Sequence, residues 1–375
     1  MSNDLGKNPL KLGFGLMRLP KLADGSIDVP QVSAMADLFF QAGGTYFDTA
    51  YVYDGGASEA AFRAAVADRY PHDRYTVATK LNVSARGCVD EASAKAQIHT
   101  SLARLGVDHV DYYLLHALQR SNYKKYDEYH LWDYMEELKE KGLIRHWGFS
   151  FHADPELLEE LLSAHPGVEF VQLQINYADW NNPGVASRTN WEICKAHGKT
   201  VSIMEPVKGG ILADPIPAVR AVFDREGSGR SYASWALRYA LGIDNVLAVL
   251  SGMSSLSQME DNLRTVKNDG PLSEKEQALI RAAQEELDKD KSIPCTACHY
   301  CMDGCPMGIP IPYIFNVVNR RKGSPEFRTE REYTIVTQGK GRASDCVACG
   351  RCERSCPQHL PIIELLKECR QLEKN

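Results

Sequence analysis

Two cysteine-rich runs near the C-terminus carry the strongest chemical signal in the chain. The segments "PCTACHYCMDGCP" and "DCVACGRCERSCP" each space four cysteines as C-x2-C-x2-C-x3-C, with a proline after the fourth. Thiolates at this spacing bind [4Fe-4S] clusters, and the fourth cysteine of each run binds the cluster of the other run. The sequence therefore predicts two clusters, one held by Cys295, Cys298, Cys301 and Cys356 and one held by Cys346, Cys349, Cys352 and Cys305.

Other uses of these thiols remain open at this point. Zinc also binds four cysteines, so two zinc sites are an alternative. A disulfide framework is disfavoured, because the N-terminus "MSNDLGKNPLKLG" lacks the apolar stretch of a signal peptide and we expect a cytoplasmic protein. Two clusters predict the transfer of single electrons to or from a ferredoxin, a flavodoxin or another partner. The alternative is that the bound metal only stabilises the fold of the domain.

The larger, N-terminal part of the chain alternates short apolar runs with amphipathic segments such as 92–106 and 127–142. This alternation predicts parallel strands joined by helices. Eight such strands predict a (β/α)8 TIM barrel, and an open doubly wound sheet is the alternative fold. The predicted strands are "LKLGFG", "TYFDT", "YTVATK", "VDYYLLH", "IRHWGFS", "EFVQLQI", "TVSIM" and "NVLAVL".

The pattern divides the chain into three parts. Residues 1–270 are predicted to form the barrel, and 271–291 a linking helix that begins at the capping-box pattern Ser273-x-x-Glu276. Residues 292–375 are predicted to form a small, mainly helical ferredoxin-like domain, because helical segments follow both cysteine runs. A net charge of −6 disfavours nucleic acid as a partner, and no run of 18 apolar residues predicts a membrane span.

Four polar residues lie at the carboxyl ends of neighbouring predicted strands, where active sites of such barrels form. Asp48 and Tyr53 follow the second strand, Lys80 ends the third and His116 ends the fourth. A carbonyl that receives hydride needs a proton, which a tyrosine can donate. A nearby ammonium is expected to lower the pKa of that tyrosine. We therefore expect Tyr53 to be the general acid, Lys80 to lower its pKa, Asp48 to hold Lys80, and His116 to orient the carbonyl.

The motifs "LGFGLMRLP", "FDTAYVYDGGASE", "SLARLGVDHVDYYLLH" and "KGLIRHWGFS" occur in the order typical of aldo-keto reductases. The whole chain resembles members of that family that carry a C-terminal [4Fe-4S] ferredoxin-type domain. The resemblance implies the same four catalytic positions and an NADP(H) or NAD(H) cofactor. It also implies these cofactor contacts: Ser150, Gln174, Gly252, Ser254, Gln258 and Asn262.

The sequence departs from the family pattern at the nicotinamide end. Phe151 takes the place of a carboxamide-binding asparagine, Met204 that of a stacking aromatic residue, and Gln258 that of an arginine that binds the 2′-phosphate. We therefore expect an NAD(P)-dependent oxidoreductase that acts on a small carbonyl or alcohol and uses its clusters for electron transfer. The alternative is a redox-sensing or electron-transfer subunit whose barrel has little turnover.

Overall fold

The computed structural model describes residues 5, 8–85, 87–290, 292–323 and 329–373, without the side chains of 321–323. Eight parallel strands close into a barrel in sequence order, as predicted. They are β1 (Leu12–Gly15), β2 (Tyr46–Asp48), β3 (Thr76–Leu81), β4 (Val110–Leu118), β5 (Ile144–Phe151), β6 (Phe170–Gln174), β7 (Thr200–Met204) and β8 (Val246–Ser251). Each strand begins and ends within a few residues of its predicted position.

Helices surround the barrel and continue into the C-terminal domain. The barrel helices are α1 (Val29–Gln41), α2 (Ala57–Phe62), α3 (Glu91–Lys95), α4 (Gln97–Leu105), α5 (Tyr123–Glu128), α6 (Leu131–Glu140), α7 (Pro155–Ala164), α8 (Ser187–Ala196), α9 (Pro217–Asp224), α10 (Tyr232–Leu241), α11 (Leu256–Asn268) and α12 (Glu274–Lys289). The C-terminal helices are α13 (Tyr300–Asp303), α14 (Ile311–Gly323), α15 (Thr329–Thr337), α16 (Arg351–Arg354) and α17 (Ile362–Cys369).

Two segments predicted as single helices are each divided in two. Residues 92–106 belong to α3 and α4, which meet at Ala96. Residues 127–142 span the end of α5 and all of α6, because His130 adopts a left-handed backbone conformation with φ of 48°. An α-helix cannot pass through that conformation, so the chain turns at His130. This turn places α5 close to the carboxyl end of β4.

The strands are apolar because helices cover the outer face of the sheet while side chains fill its interior. All nine residues of β4 are buried. Aromatic and aliphatic side chains pack inside the barrel, among them Tyr46, Tyr112, Leu114, Phe170 and Leu250. This packed core leaves the two ends of the barrel as the places where polar side chains collect.

Helix α12 begins at the predicted capping box. The Ser273 hydroxyl accepts from the Glu276 backbone N–H at 3.3 Å, and the Glu276 carboxylate accepts from the Ser273 N–H at 2.8 Å. The same carboxylate binds Arg238 through both oxygens, at 2.6 and 2.9 Å. Ile280 and Ala283 are buried against α9 and α10, so the predicted linking helix packs on the barrel wall.

The C-terminal domain has its own apolar core and is helical, as predicted. Its short helices and the loops between them pack around these buried side chains: Ile293, Ile309, Ile311, Ile314, Phe315, Leu360, Ile362 and Leu366. In the part of the chain that the structure describes, no helix combines the length and apolar character that crossing a bilayer requires.

Ser273→Ala removes the side-chain cap of α12, so we expect it to cost about 1 kcal/mol and to lower the thermal midpoint by about 2 °C. The matched control is Ser163→Ala, because Ser163 is exposed near the end of α7 and caps no helix start. Anaerobic thermal unfolding measures both variants. Equal midpoints for the two variants would show that this cap does not contribute to stability.

Candidate active site and cluster-binding residues

Lys80 lies near the end of β3 and directs its ammonium across the rim at the carboxyl ends of the strands. Its Nζ donates to Asp48 Oδ1 at 2.7 Å and to the Thr49 carbonyl oxygen at 2.6 Å. The Tyr53 hydroxyl lies 3.5 Å from Nζ. Gln172, from β6, donates to the other oxygen of Asp48 at 3.2 Å. The predicted aspartate, lysine and tyrosine are therefore brought together, and Gln172 is an additional support that the sequence analysis missed.

The electrostatics around Tyr53 differ from the sequence-based expectation. Burial and the charge of Asp48 raise the pKa of Tyr53 above its ordinary value, whereas a hydrogen bond from Tyr300 opposes that rise. Burial also lowers the pKa of Lys80, with Asp48 opposing the shift. The pKa of Tyr53 is therefore raised, not lowered as expected. The physical reason is that burial, the largest cause, and the charge of Asp48 decide the direction of the shift.

His116 completes the group from β4. Its ring packs edge-on against that of Tyr53, with 5.7 Å between ring centroids. The Asn82 amide lies 3.3 Å from His116 Nδ1, and the Asn82 oxygen accepts from the Ser84 N–H at 2.7 Å, which orients the amide nitrogen toward the imidazole. Burial and the nearby Lys80 charge lower the pKa of His116 well below its ordinary value. A neutral ring that accepts at Nδ1 has its proton on Nε2, available to donate.

Two predicted carboxamide contacts, Ser150 and Gln174, already have partners within the chain. The Ser150 hydroxyl accepts from the Ala117 N–H at 2.7 Å. The Gln174 amide nitrogen donates to Asp179 at 2.8 Å and to Gln358 at 3.3 Å, and its oxygen accepts from Gln358 at 2.9 Å. Gln358 comes from the C-terminal domain, so that domain reaches the predicted nicotinamide end of the barrel.

The predicted phosphate and adenine contacts follow β8. Gly252 is exposed, and the Ser254 hydroxyl donates to the Arg18 carbonyl oxygen at 2.6 Å. The Ser254 N–H donates to the side-chain oxygen of Gln258 at 2.7 Å. Asn262 is buried in α11 and donates to a serine hydroxyl at 2.8 Å.

The loop of the first cysteine run covers the rim of the barrel. Arg18, which follows β1, donates to the carbonyl oxygens of Thr296 and Ala297 at 2.7 and 3.4 Å. Gly209, after β7, approaches the same loop closely: a Cβ added there would lie 2.5 Å from the Thr296 oxygen. Gly209 also has φ of 64°, a conformation that favours glycine. Arg18 and Gly209 on the barrel therefore allow Thr296 and Ala297 of this loop to pack closely against the rim.

Tyr300 enters the candidate site from between two cysteines of the first run. Its hydroxyl affects the pKa of Tyr53, and its ring meets the His116 ring edge-on at 6.4 Å between centroids. The sequence analysis missed Tyr300, Gln358 and Arg18. Tyr300 and Gln358 lie inside or directly after the cysteine runs, but nothing in the cysteine spacing indicates which surface those runs contact.

The first predicted cluster quartet draws on both cysteine runs. Thiolates at Cys295, Cys298 and Cys356 would raise the pKa of the Cys301 thiol, and so would that of Cys352 from the other predicted quartet. Burial, the largest cause, raises the pKa of the Cys298 thiol to about 12. A thiol of that kind is protonated at neutral pH unless a bound metal stabilises the thiolate.

The second predicted quartet lines a small cavity farther from the barrel. Cys305 of the first run joins three cysteines of the second run there, and apolar side chains complete the wall: Ile309, Ile311, Val347, Ile363 and Leu366. This cavity thus brings Cys305 to three cysteines of the second run, and the assignment of ligands to each cluster stays a prediction. An apolar cavity lined by four thiols suits a [4Fe-4S] cluster.

The positions of the thiols can be compared with the two alternatives to iron–sulfur clusters, which are disulfides and zinc sites. None of the 11 cysteines, all of which lie in the described part of the chain, is paired in a disulfide. Four thiolates on one tetrahedral zinc ion lie roughly 3.8 Å apart. Among the described residues, no three of the cysteines have their Sγ atoms within 4.8 Å of one another.

The fold and the rim constellation define a TIM barrel with an Asp–Lys–Tyr–His group, joined to a helical domain with two cysteine quartets. The model of the aldo/keto reductase family matches residues 11–285, and the model of a 4Fe-4S dicluster domain matches residues 294–360. The chain belongs to the aldo/keto reductase family and carries a 4Fe-4S dicluster domain.

Individual proteins are similar over most of the barrel. An aldo-keto reductase from Mycolicibacterium vanbaalenii is 31% identical over 265 residues, which cover 70% of this chain and 84% of the relative. The holo form of an aldo-keto reductase from Bacillus halodurans is 26% identical with a TM-score of 0.58, covering 73% of this chain and 91% of that chain. A Klebsiella pneumoniae aldo-keto reductase in complex with NADPH shares the fold at 22% identity and TM-score 0.58, over 73% and 91%.

Cys305→Ser and Cys346→Ser are expected to damage the same cluster, because both thiols line one cavity. Anaerobic iron analysis should start from about eight irons per chain in the wild type. The double variant should then lose no more iron than either single variant. Cys305→Ser combined with Cys295→Ser should lose both clusters. Additive loss in the first pair would contradict the exchanged arrangement.

Lys80→Met leaves the Asp48 carboxylate buried without its cation, so we expect a loss of about 3–5 kcal/mol in unfolding free energy. Adding Asp48→Asn removes the uncompensated charge and should restore much of that loss. Anaerobic thermal unfolding of both single variants and the double variant forms a closed cycle. Additive effects would show that the two side chains do not act as a pair.

Proposed function

We propose that this protein is an oxidoreductase that transfers hydride between NADP(H) or NAD(H) and a small carbonyl or alcohol substrate. The proposal is carried by one observation, the convergence of Tyr53, His116 and the Lys80–Asp48 pair at the carboxyl rim of the barrel. Membership of the aldo/keto reductase family and the shared fold with an NADPH-bound Klebsiella enzyme support it.

In this proposal Tyr53 is the general acid. Its raised pKa keeps the phenol protonated at neutral pH, so a proton is available when negative charge develops on the substrate oxygen. Neutral His116 donates from Nε2 to the same oxygen and fixes its orientation. Lys80 lies 3.5 Å from the Tyr53 hydroxyl and favours the phenolate that remains after proton transfer. Asp48 and the Thr49 carbonyl hold Lys80 in place.

The nicotinamide cofactor supplies hydride to the carbonyl carbon, and residues of the barrel are proposed to bind it. Ser150 and Gln174 would contact the carboxamide, and the loop after β8 would bind the phosphates and the adenosine. The residues of that loop and of the helix that follows are Gly252, Ser254, Gln258 and Asn262. Because Gln258 offers no guanidinium for a 2′-phosphate, the proposal includes both NADP(H) and NAD(H).

The two [4Fe-4S] clusters supply one-electron transfer when they are bound. The proposed ligands of the cluster beside the barrel are Cys295, Cys298, Cys301 and Cys356. Those of the distal cluster are Cys346, Cys349, Cys352 and Cys305. The distal quartet includes the exposed Cys349, which favours this side for electron exchange with a ferredoxin, a flavodoxin or another partner. The cysteine spacing, typical of cluster ligands that stay reduced, supports a cytoplasmic location.

A redox-sensing or electron-transfer subunit with little turnover is the second candidate. One observation favours it: the Gln174 amide, a proposed cofactor contact, is hydrogen-bonded to Gln358 of the C-terminal domain. Phe151 and Met204, in place of an asparagine and an aromatic residue, point the same way. Turnover with simple aldehydes would separate the two candidates.

Tyr53→Phe is expected to lower the rate of NADPH-dependent aldehyde reduction by about 10²–10⁴-fold, because it removes the proton donor. Tyr313→Phe is the matched control, since Tyr313 is an exposed tyrosine on α14. Anaerobic assays with a panel of small aldehydes measure both variants, and their iron contents should equal that of the wild type. A Tyr53→Phe variant that keeps full turnover would refute the proposed catalytic role.

A further inference from the structure

Two side chains of the C-terminal domain occupy the places that the proposed reaction needs. We propose that Gln358 takes the position of the nicotinamide carboxamide and that Tyr300 takes the position of the substrate oxygen. The "cluster loop", defined as residues 295–301 together with Gln358, must then lift before NADP(H) can bind. This inference rests on the proposed function, because it takes Gln174 as the carboxamide contact and Tyr53 as the general acid.

Gln358 imitates the cofactor chemically. A glutamine side chain ends in the same primary amide that nicotinamide carries on its ring. It forms a reciprocal pair with Gln174: the Gln358 nitrogen donates to the Gln174 oxygen at 2.9 Å, and the Gln174 nitrogen donates to the Gln358 oxygen at 3.3 Å. Lys208 Nζ also donates to the Gln358 oxygen at 3.3 Å. A nicotinamide carboxamide that binds Gln174 would therefore have to displace the Gln358 amide, which already forms hydrogen bonds with Gln174.

Tyr300 imitates the substrate in the same way. Its ring meets the His116 ring edge-on at 6.4 Å between centroids, the His116 ring in turn packs against that of Tyr53, and the Tyr300 hydroxyl affects the pKa of Tyr53. These are the two residues proposed to bind the substrate oxygen. Because Tyr300 lies between Cys298 and Cys301, the loop that surrounds the first quartet carries this hydroxyl into the site. The cluster loop thus occupies both the proposed carboxamide position, through Gln358, and the proposed substrate-oxygen position, through Tyr300.

The barrel holds the cluster loop through contacts outside the catalytic group. Arg18 donates to the Thr296 carbonyl oxygen at 2.7 Å, and Gly209 leaves room for Thr296 where any side chain would collide. Lys208, which contacts Gln358, is itself buried and paired with Asp179. These contacts make the docked arrangement a competitor of the cofactor, because NADP(H) must replace them to reach Tyr53.

The test measures NADP⁺ binding by anaerobic calorimetry to the full chain with its clusters. Gln358→Ala removes the internal amide and should tighten NADP⁺ binding about tenfold, as expected when a competing hydrogen-bonded group is lost. Gln338→Ala is the matched control, because Gln338 is an exposed glutamine of the same domain, and it should bind like the wild type. Hydrogen exchange on the wild type gives a second readout: saturating NADP⁺ should speed exchange in residues 295–301 and 356–360.

Each outcome has one meaning. Equal NADP⁺ affinity in the wild type and Gln358→Ala, with unchanged or slower exchange in the cluster loop, would overturn this inference and leave the proposed function intact. Absence of binding of NADP(H) and of NAD(H) in every variant would overturn the nicotinamide part of the proposed function and this inference with it. Tighter binding in Gln358→Ala together with faster exchange in the wild type would support both.

Discussion

The candidate site depends on one buried ammonium. Lys80 is fully buried, and burying a charge without a partner is costly. Asp48 and the Thr49 carbonyl oxygen compensate it at 2.7 and 2.6 Å. Asp48 in turn needs the Gln172 amide, so strands β2, β3 and β6 are joined by one polar network inside an apolar barrel. Tyr53 and His116 are arranged around that network.

The same rim connects the two domains. In an isolated barrel, the carboxyl ends of the strands would form an open site. Here Arg18, Gly209 and Lys208 contact the first cysteine run or the residue just after the second. The first quartet therefore lies next to the proposed catalytic residues, and the distal quartet lies farther out. If clusters bind at both quartets, single electrons could pass from a partner to the distal quartet and then to the first quartet beside the barrel. The reaction proposed for Tyr53 differs, because hydride carries two electrons.

Much of this architecture could be predicted from the sequence, because it follows from local patterns. Eight apolar runs predicted the eight strands, and Ser273 and Glu276 predicted the start of α12. The cysteine spacing predicted a 4Fe-4S dicluster domain. Positions at strand ends brought Asp48, Lys80, Tyr53 and His116 to one rim. The family models confirm the barrel and the dicluster domain.

What could not be predicted depends on contacts between distant segments. Tyr300 lies inside the first cysteine run and Gln358 directly after the second, and no local pattern shows that they reach Tyr53 and Gln174. The pKa of Tyr53 was expected to fall because Lys80 is near, but desolvation and the charge of Asp48 decide its direction. The turn at His130 was also missed, since its left-handed conformation lies inside a helical pattern.

We propose that the first cysteine quartet and Tyr53 form one packed unit. A redox titration of both clusters, followed by electron paramagnetic resonance, in the wild type and in Tyr53→Phe tests this arrangement. The Tyr53 hydroxyl affects the electrostatics of Tyr300, which lies between Cys298 and Cys301. The midpoint potential of one cluster should therefore shift in Tyr53→Phe while that of the other stays constant. Two unchanged potentials would show that Tyr53 and the first quartet are not coupled.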